Sequence, residues 1–338
     1  MTRFAWLQFR TQAALALAGL LAIAIILAIT GPHLVHLYDT TVADCSTHND
    51  CSAVTTSFLN TDGPLQVFAE ILLLAVPALI GMFWGAPLIA REFETGTFRL
   101  AFTQGVTRTR WLAVKLGVGV LASMIATGLL SLIVTWWFSK PDLVRAAPYD
   151  SLTFGTRDIT PIGYAAFAFT LGVTAGLLTR RTVPAMLTTL IGFVGARLAI
   201  TSWARPHLLA PLHNNVTINA STILNFGQTQ TGTAVTAGTR GVLPGQWLYS
   251  NQILDAVGHT PTTQFLNNVC PLTPRGGANP SCINAIASKF HEVLTYQPAT
   301  AYWSIQWYET MIFLVLAAVL AGVCVWFIRR PTSRHVQT

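Results

Sequence analysis

Charge is what this 338-residue chain has least of. Asp, Glu, Lys and Arg make up 10% of it, against 52% hydrophobic residues and a mean hydropathy of +0.52. Soluble domains carry about 25% charged residues. So little charge cannot cover a water-facing surface, which excludes an ordinary soluble globule and indicates a polytopic membrane protein. Nucleotide chemistry is missing as well. There is no Gly-x-x-x-x-Gly-Lys-Ser/Thr and no Gly-Lys dipeptide at all, so no P-loop exists to cradle phosphates. No His-Glu-x-x-His and no Gly-x-Ser-x-Gly occurs, and no catalytic cluster is visible, so the chain reads as no enzyme. No apolar run holds the carboxylate relay of a proton-coupled pump. Dense basic runs with interleaved aromatics are also absent, so the net charge of +7 speaks of membrane topology rather than nucleic acid.

What is present is a series of apolar runs. They lie at about 11–30, 65–89, 111–138, 160–179, 183–202 and 301–328, each near the length of about 20 residues that a spanning helix needs. The expected fold is all-α, with six transmembrane helices. Gly31-Pro32 is expected to stop the first span, and Trp136-Trp137 to mark an interface at the end of the third. Residues 1–10, with Arg3 and Arg10 among Phe4, Trp6, Leu7 and Phe9, suit an interfacial helix. A signal peptide is the rival reading of the N-terminus, but the apolar run is near full spanning length and no clear cleavage site follows. Residues 11–202 hold the first five spans, with a charged inner loop at 90–110. Residues 203–298, rich in Thr, Asn, Gly and Pro, form an external cap region. The sixth span occupies 299–330, and 331–338 is a tail.

Orientation follows from counting. With both termini inside, the inner segments carry twelve basic residues against Glu92 and Glu94, and the outer loops carry seven against nine acidic ones. The cysteines agree. Cys45 and Cys51 (in CSTHNDC) and Cys270 and Cys282 then fall outside, where disulfides persist, and Cys324 lies in an apolar run. His33, His36 and His48 match no zinc spacing, so no metal is expected. Glu70, Arg197 and Glu309 interrupt or border spans. Helix rise puts each near the outer boundary, about 24–31 Å from the inner arginines. They are candidates for an outer gate in which Arg197 pairs with Glu70 or Glu309; the alternative is that each snorkels separately to water.

The stretch Arg91–Lys115, REFETGTFRLAFTQGVTRTRWLAVK, concentrates seven charges between two apolar runs. Its pattern is Glu92/Glu94, Gly96-Thr97, the turn Gln104-Gly105-Val106-Thr107-Arg108, then Lys115. This resembles the signature of the type 2 ABC exporter permeases, and with TGPHLVHLYD after the first span it resembles the permease subunits common in actinobacteria. Where many members place a proline in the turn, this chain has Gln104-Gly105. The resemblance implies a six-helix permease with an N-terminal interfacial helix at the plasma membrane and both termini cytoplasmic. It implies pairing with a second permease copy (the same chain or a related half) and with two separate ABC ATPase subunits. ATP and Mg would be bound by those subunits, with no cofactor in this chain. The loop between the second and third spans would be the coupling helix, with Glu92, Phe93, Glu94, Gly96, Thr97, Phe98 and Arg108 as its contacts. The uncharged spans suit a hydrophobic or amphipathic cargo such as a drug, lipid or natural product. The competing function is a membrane sensor whose cap binds a ligand and signals through the inner loop.

Overall fold

The computed structural model describes residues 2–45, 51–96, 107–218, 223–228, 235–239, 244–262, 264–265 and 280–329. They fall into two units. One comprises Met1–Arg145, Ser151–Leu208 and Trp303–Thr338; the other comprises Ala146–Asp150 and Leu209–Tyr302.

The first unit is helical. Helix α1 (Thr2–Leu37) continues through a π turn at Tyr38–Val42 to Cys45, and α2 (Ser52–Asn60) follows. The second span is α3 (Gly63–Ile80), a π turn at Gly81–Gly85 and α4 (Ala86–Glu94). The third is α5 (Arg108–Trp137), followed by the short helices α6 (Ser139–Arg145) and α7 (Ser151–Thr156). Helix α8 (Thr160–Thr179) is the fourth span. Helix α9 (Thr182–Ala199), prolonged by a π turn at Ile200–Ala204 and a single 3-10 turn at Arg205–His207, is the fifth. Six helices among the described residues are long and apolar enough to cross a membrane, the sixth being Ala299–Arg329.

Segment 1–10 is helical from Thr2 and continuous with the first span. Gly31-Pro32, expected as a stop, does not end the helix. Proline removes one backbone donor and kinks a helix without necessarily breaking it, and membrane helices tolerate this. Gly31 has a packing reason instead: a Cβ there would lie 2.8 Å from the Trp136 ring, and the neighbouring Trp137 indole donates to the Thr30 hydroxyl at 2.9 Å. Trp136-Trp137 thus seat the third span on the first.

Helix α8 is the hub of this unit. Its apolar window is 78% buried, against 17% for the fifth and sixth spans. The cause is residue size. Gly163, Ala165, Ala166, Ala168, Gly172, Ala175 and Gly176 let neighbouring backbones approach, which is how helices associate where lipid is as apolar as protein. The π turn of the second span lies directly on this surface. A Cβ on Gly81 would sit 2.5 Å from the Ala168 carbonyl oxygen, and one on Gly172 would sit 2.2 Å from that of Gly81. Phe193, Phe313 and Tyr164 close the other side of the hub.

The second unit adds a small sheet to the helical fold. It carries an antiparallel sheet of β1 (Leu212–Val216), β5 (Phe290–Gln297) and β4 (Trp247–Asp255), in that order, and a hairpin of β2 (Ile223–Gln228) with β3 (Val235–Thr239). Ile253, Leu294 and Ile286 of α10 (Pro280–Ala287) are buried there. Tyr149 stacks on Trp247 with ring centroids 5.5 Å apart and donates its hydroxyl to the Pro298 carbonyl at 2.7 Å; burial holds that hydroxyl protonated well above the ordinary phenol range. The last helix, α11 (Tyr302–Arg329), is the body of the sixth span.

Candidate functional site

The charges of the membrane unit gather at its two ends. At one end, α4 emerges from the second span with Arg91, Glu92, Phe93 and Glu94 on its final turn. Glu92 is ion-paired with Lys115, which is almost fully buried on α5 with its ammonium 4.7 Å from the Trp111 ring centroid. Glu94 reaches the fifth span instead. It accepts the Thr182 backbone N–H at 2.8 Å and the Thr182 hydroxyl at 2.7 Å, so it supplies the cap that the first turn of α9 lacks. The Phe93 ring lies under the Arg180 guanidinium at 5.6 Å. Arg180 has a left-handed backbone (φ 54°) that turns the chain between α8 and α9.

Among the described residues, Glu92, Phe93 and Glu94 are therefore not part of a separate short helix. Glu92, Phe93 and Glu94 form the end of the second span itself, and their side chains tie it to the third span and to the turn between the fourth and fifth. Gly96, with a φ of 71°, ends the turn in a conformation that glycine adopts freely. Thr97 and Phe98 lie outside the described residues. Arg108 opens α5, where the Thr107 hydroxyl accepts from Arg110 N–H as the N-cap.

Two polar networks close the other end. In the first, Glu70 of α3 accepts from Arg145 Nη1 at 2.9 Å and from Arg157 Nη2 at 3.1 Å. Arg157 also donates to Asp142 at 2.8 Å, and Arg145 to Gln66 at 2.6 Å. Both guanidiniums lie on Phe138, that of Arg157 at 3.6 Å. In the second, Glu309 of α11 is fully buried. It takes a forked pair of bonds from Arg205, Nε to Oε2 at 2.7 Å and Nη2 to Oε1 at 2.9 Å, together with the Tyr164 hydroxyl. Such forks are the strong form of ion pair, and pairing of this kind offsets the cost of a charge inside a span. Gln306 joins α11 to the start of α8 through the Thr160 N–H and hydroxyl, and donates to the Phe154 carbonyl at 3.0 Å.

The expected gate pairing is overturned. Arg197 pairs with neither Glu70 nor Glu309; its guanidinium rests over the Tyr164 ring at 4.9 Å. Both glutamates already have closer cations. The fifth span runs past residue 202 to His207, and its π turn carries Arg205 into the bundle at 1% exposure. Arg205 was assigned by sequence to the cap, and Arg145, Arg157 and Asp142 to a loop. Their only sequence signal was being charges close to a span. Separate snorkelling is overturned for Glu309, which is 0% exposed.

Of the cysteines, Cys45 and Cys51 are joined in a disulfide, with Cα atoms 5.8 Å apart. The Cys270–Cys282 pair lies outside the described side chains. Among the described residues no group of His, Cys, Asp or Glu could hold a metal ion. An apolar cavity of about 290 Å³ lies between the first three spans, lined by Ile23, Leu79, Phe83, Trp84 and Leu130 among others.

A family model described as ABC-2 membrane transporter related matches residues 17–205, more than half of the chain. No curated protein and no solved structure matches it.

Proposed function

Because this chain belongs to the ABC-2 membrane transporter related family, whose members are membrane subunits working with ABC ATPases, we propose that it is the permease of an ATP-driven exporter. Two permease copies, or this chain and a related half, form the pathway, and two separate ATPase subunits bind ATP and Mg. Both termini are cytoplasmic and the cysteine pairs face outward, as the excess of basic residues in the inner segments indicates. The cargo is hydrophobic or amphipathic, in keeping with the apolar composition of the six spans.

One observation carries the reading: the double clasp of Glu92 on Lys115 and Glu94 on Thr182. A lever needs a rigid end. Here the helix end nearest the loop 90–110 is bound to the third span and to the start of the fifth, so a push on that loop moves three spans together. This revises how the acidic residues act. Glu92 and Glu94 brace the coupling element from inside, and the neighbouring loop meets the ATPase.

The test is co-purification with a candidate ATPase, followed by ATPase and transport assays of E92K and E94K. Assembly is expected to survive in both, while cargo-stimulated hydrolysis falls at least about tenfold, the loss of one charge-assisted hydrogen bond's worth of coupling. Full stimulated activity in both variants removes the bracing role. Absence of any complex with an ATPase favours the sensor reading.

A further inference from the structure

Arg205 takes the carboxylate of Glu309, and Arg145 and Arg157 take those of Glu70 and Asp142. No ion pair among the described residues includes Arg197. Arg197 is left over. Its Nη1 is buried with no hydrogen-bond partner among the described residues. Gly155 makes room for it, since a Cβ there would lie 2.5 Å from Arg197 Nη2.

A second unused donor sits one turn further along the same helix. Thr188, Thr189 and Ser202 each return their hydroxyl to the backbone carbonyl four residues earlier, at 2.7, 2.6 and 2.6 Å. Thr201 does not, and its Oγ1 is buried with no partner among the described residues. It falls within the π turn Ile200–Ala204, a distortion that recurs at functional sites. Residues four apart share a helix face, here separated by about 6 Å of rise. The adjoining positions are apolar and open: Val194 is 43% and Leu198 63% exposed. A partly buried guanidinium whose Nη1 makes no hydrogen bond is unfavourable in a membrane, and Arg197 and Thr201 offer two such donors on the helix that carries Val194 and Leu198.

We propose that Arg197 and Thr201 bind the oxyanion of an anionic amphiphile, a phosphate or carboxylate head whose chain lies along Val194 and Leu198. The proposal concerns what this chain binds and holds whether or not ATP-driven export is its function.

Native mass spectrometry of the full chain in neutral detergent tests it, with equimolar dioleoyl phosphatidylglycerol and dioleoyl phosphatidylcholine as probes. Wild-type protein is expected to retain phosphatidylglycerol preferentially. R197M lowers that preference roughly tenfold, as loss of a charge-assisted hydrogen bond does, and T201V about fivefold, as loss of a neutral one does. R197K keeps the charge without the fork and falls between wild type and R197M. T201V alters no charge and little volume, so it decides the matter if R197M fails to fold. Displacement of phosphatidylglycerol by millimolar inorganic phosphate assigns the site to a free oxyanion; resistance to it assigns the site to a lipid. Equal retention of both lipids by wild type together with no detectable phosphate binding, or an unchanged preference in T201V and in whichever Arg197 variants fold, overturns the proposal.

Discussion

Glu309 shows how much hangs on single residues inside the apolar unit. It and Arg205 are 0% and 1% exposed, and each is the other's ion-pair partner there. E309A is therefore expected to destabilise the folded protein by about 3–5 kcal/mol, because Arg205 is left buried and unpaired. The double variant E309L/R205L is expected to cost less than either single change, and denaturant unfolding in detergent measures all three. A double variant as unstable as the sum of the singles would mean that the pair is not acting as a unit. Glu309 was legible in the sequence as a charge in an apolar run. Arg205 was not, because it follows the run and reads as the start of a polar region. Nor was the pairing, which joins residues 104 apart.

Among the helices, the contact of the second span with α8 depends on glycine at defined points. G172A would place a Cβ 2.2 Å from the Gly81 carbonyl oxygen, and two backbones cannot move apart without loosening the hub. It is expected to cost at least about 1–3 kcal/mol, the usual range for overpacking. Gly117 of α5 is a matched control, since a Cβ there meets nothing within 4 Å. G117A is expected to gain about 0.5–1 kcal/mol from helix propensity alone. Thermal unfolding of the two variants side by side checks the contrast. The span boundaries themselves were largely readable: the fourth was expected at 160–179 and lies at Thr160–Thr179. The second and fifth run longer than their apolar cores, the second to Glu94 and the fifth to His207. In both, a π turn carries the chain on into residues that hydropathy assigns to loops.

Taken whole, the chain carries the family's membrane segment and a sheet-bearing unit. The family match ends at residue 205, and the larger segment of the sheet-bearing unit, Leu209–Tyr302, lies beyond it. Orientation is open to direct measurement through the Cys45–Cys51 disulfide. In a background with Cys270 and Cys282 changed to serine, intact cells are expected to take up an impermeant maleimide only after an impermeant reductant is added. Labelling that needs cell lysis would place that end of the bundle inside. What the sequence alone determined was the number of spans, their approximate lengths and the motif that marks the family. These are local properties: a run of about 20 apolar residues crosses the bilayer whatever its neighbours do. What only the tertiary structure decided was which span is central and which charge holds which. Lipid and protein interior are equally apolar, so hydropathy is no guide to burial here: the sixth span is the more apolar of the two and only 17% buried, whereas α8 is the less apolar and 78% buried. Small residues make that distinction, and they become visible as contacts only once the backbones are in place.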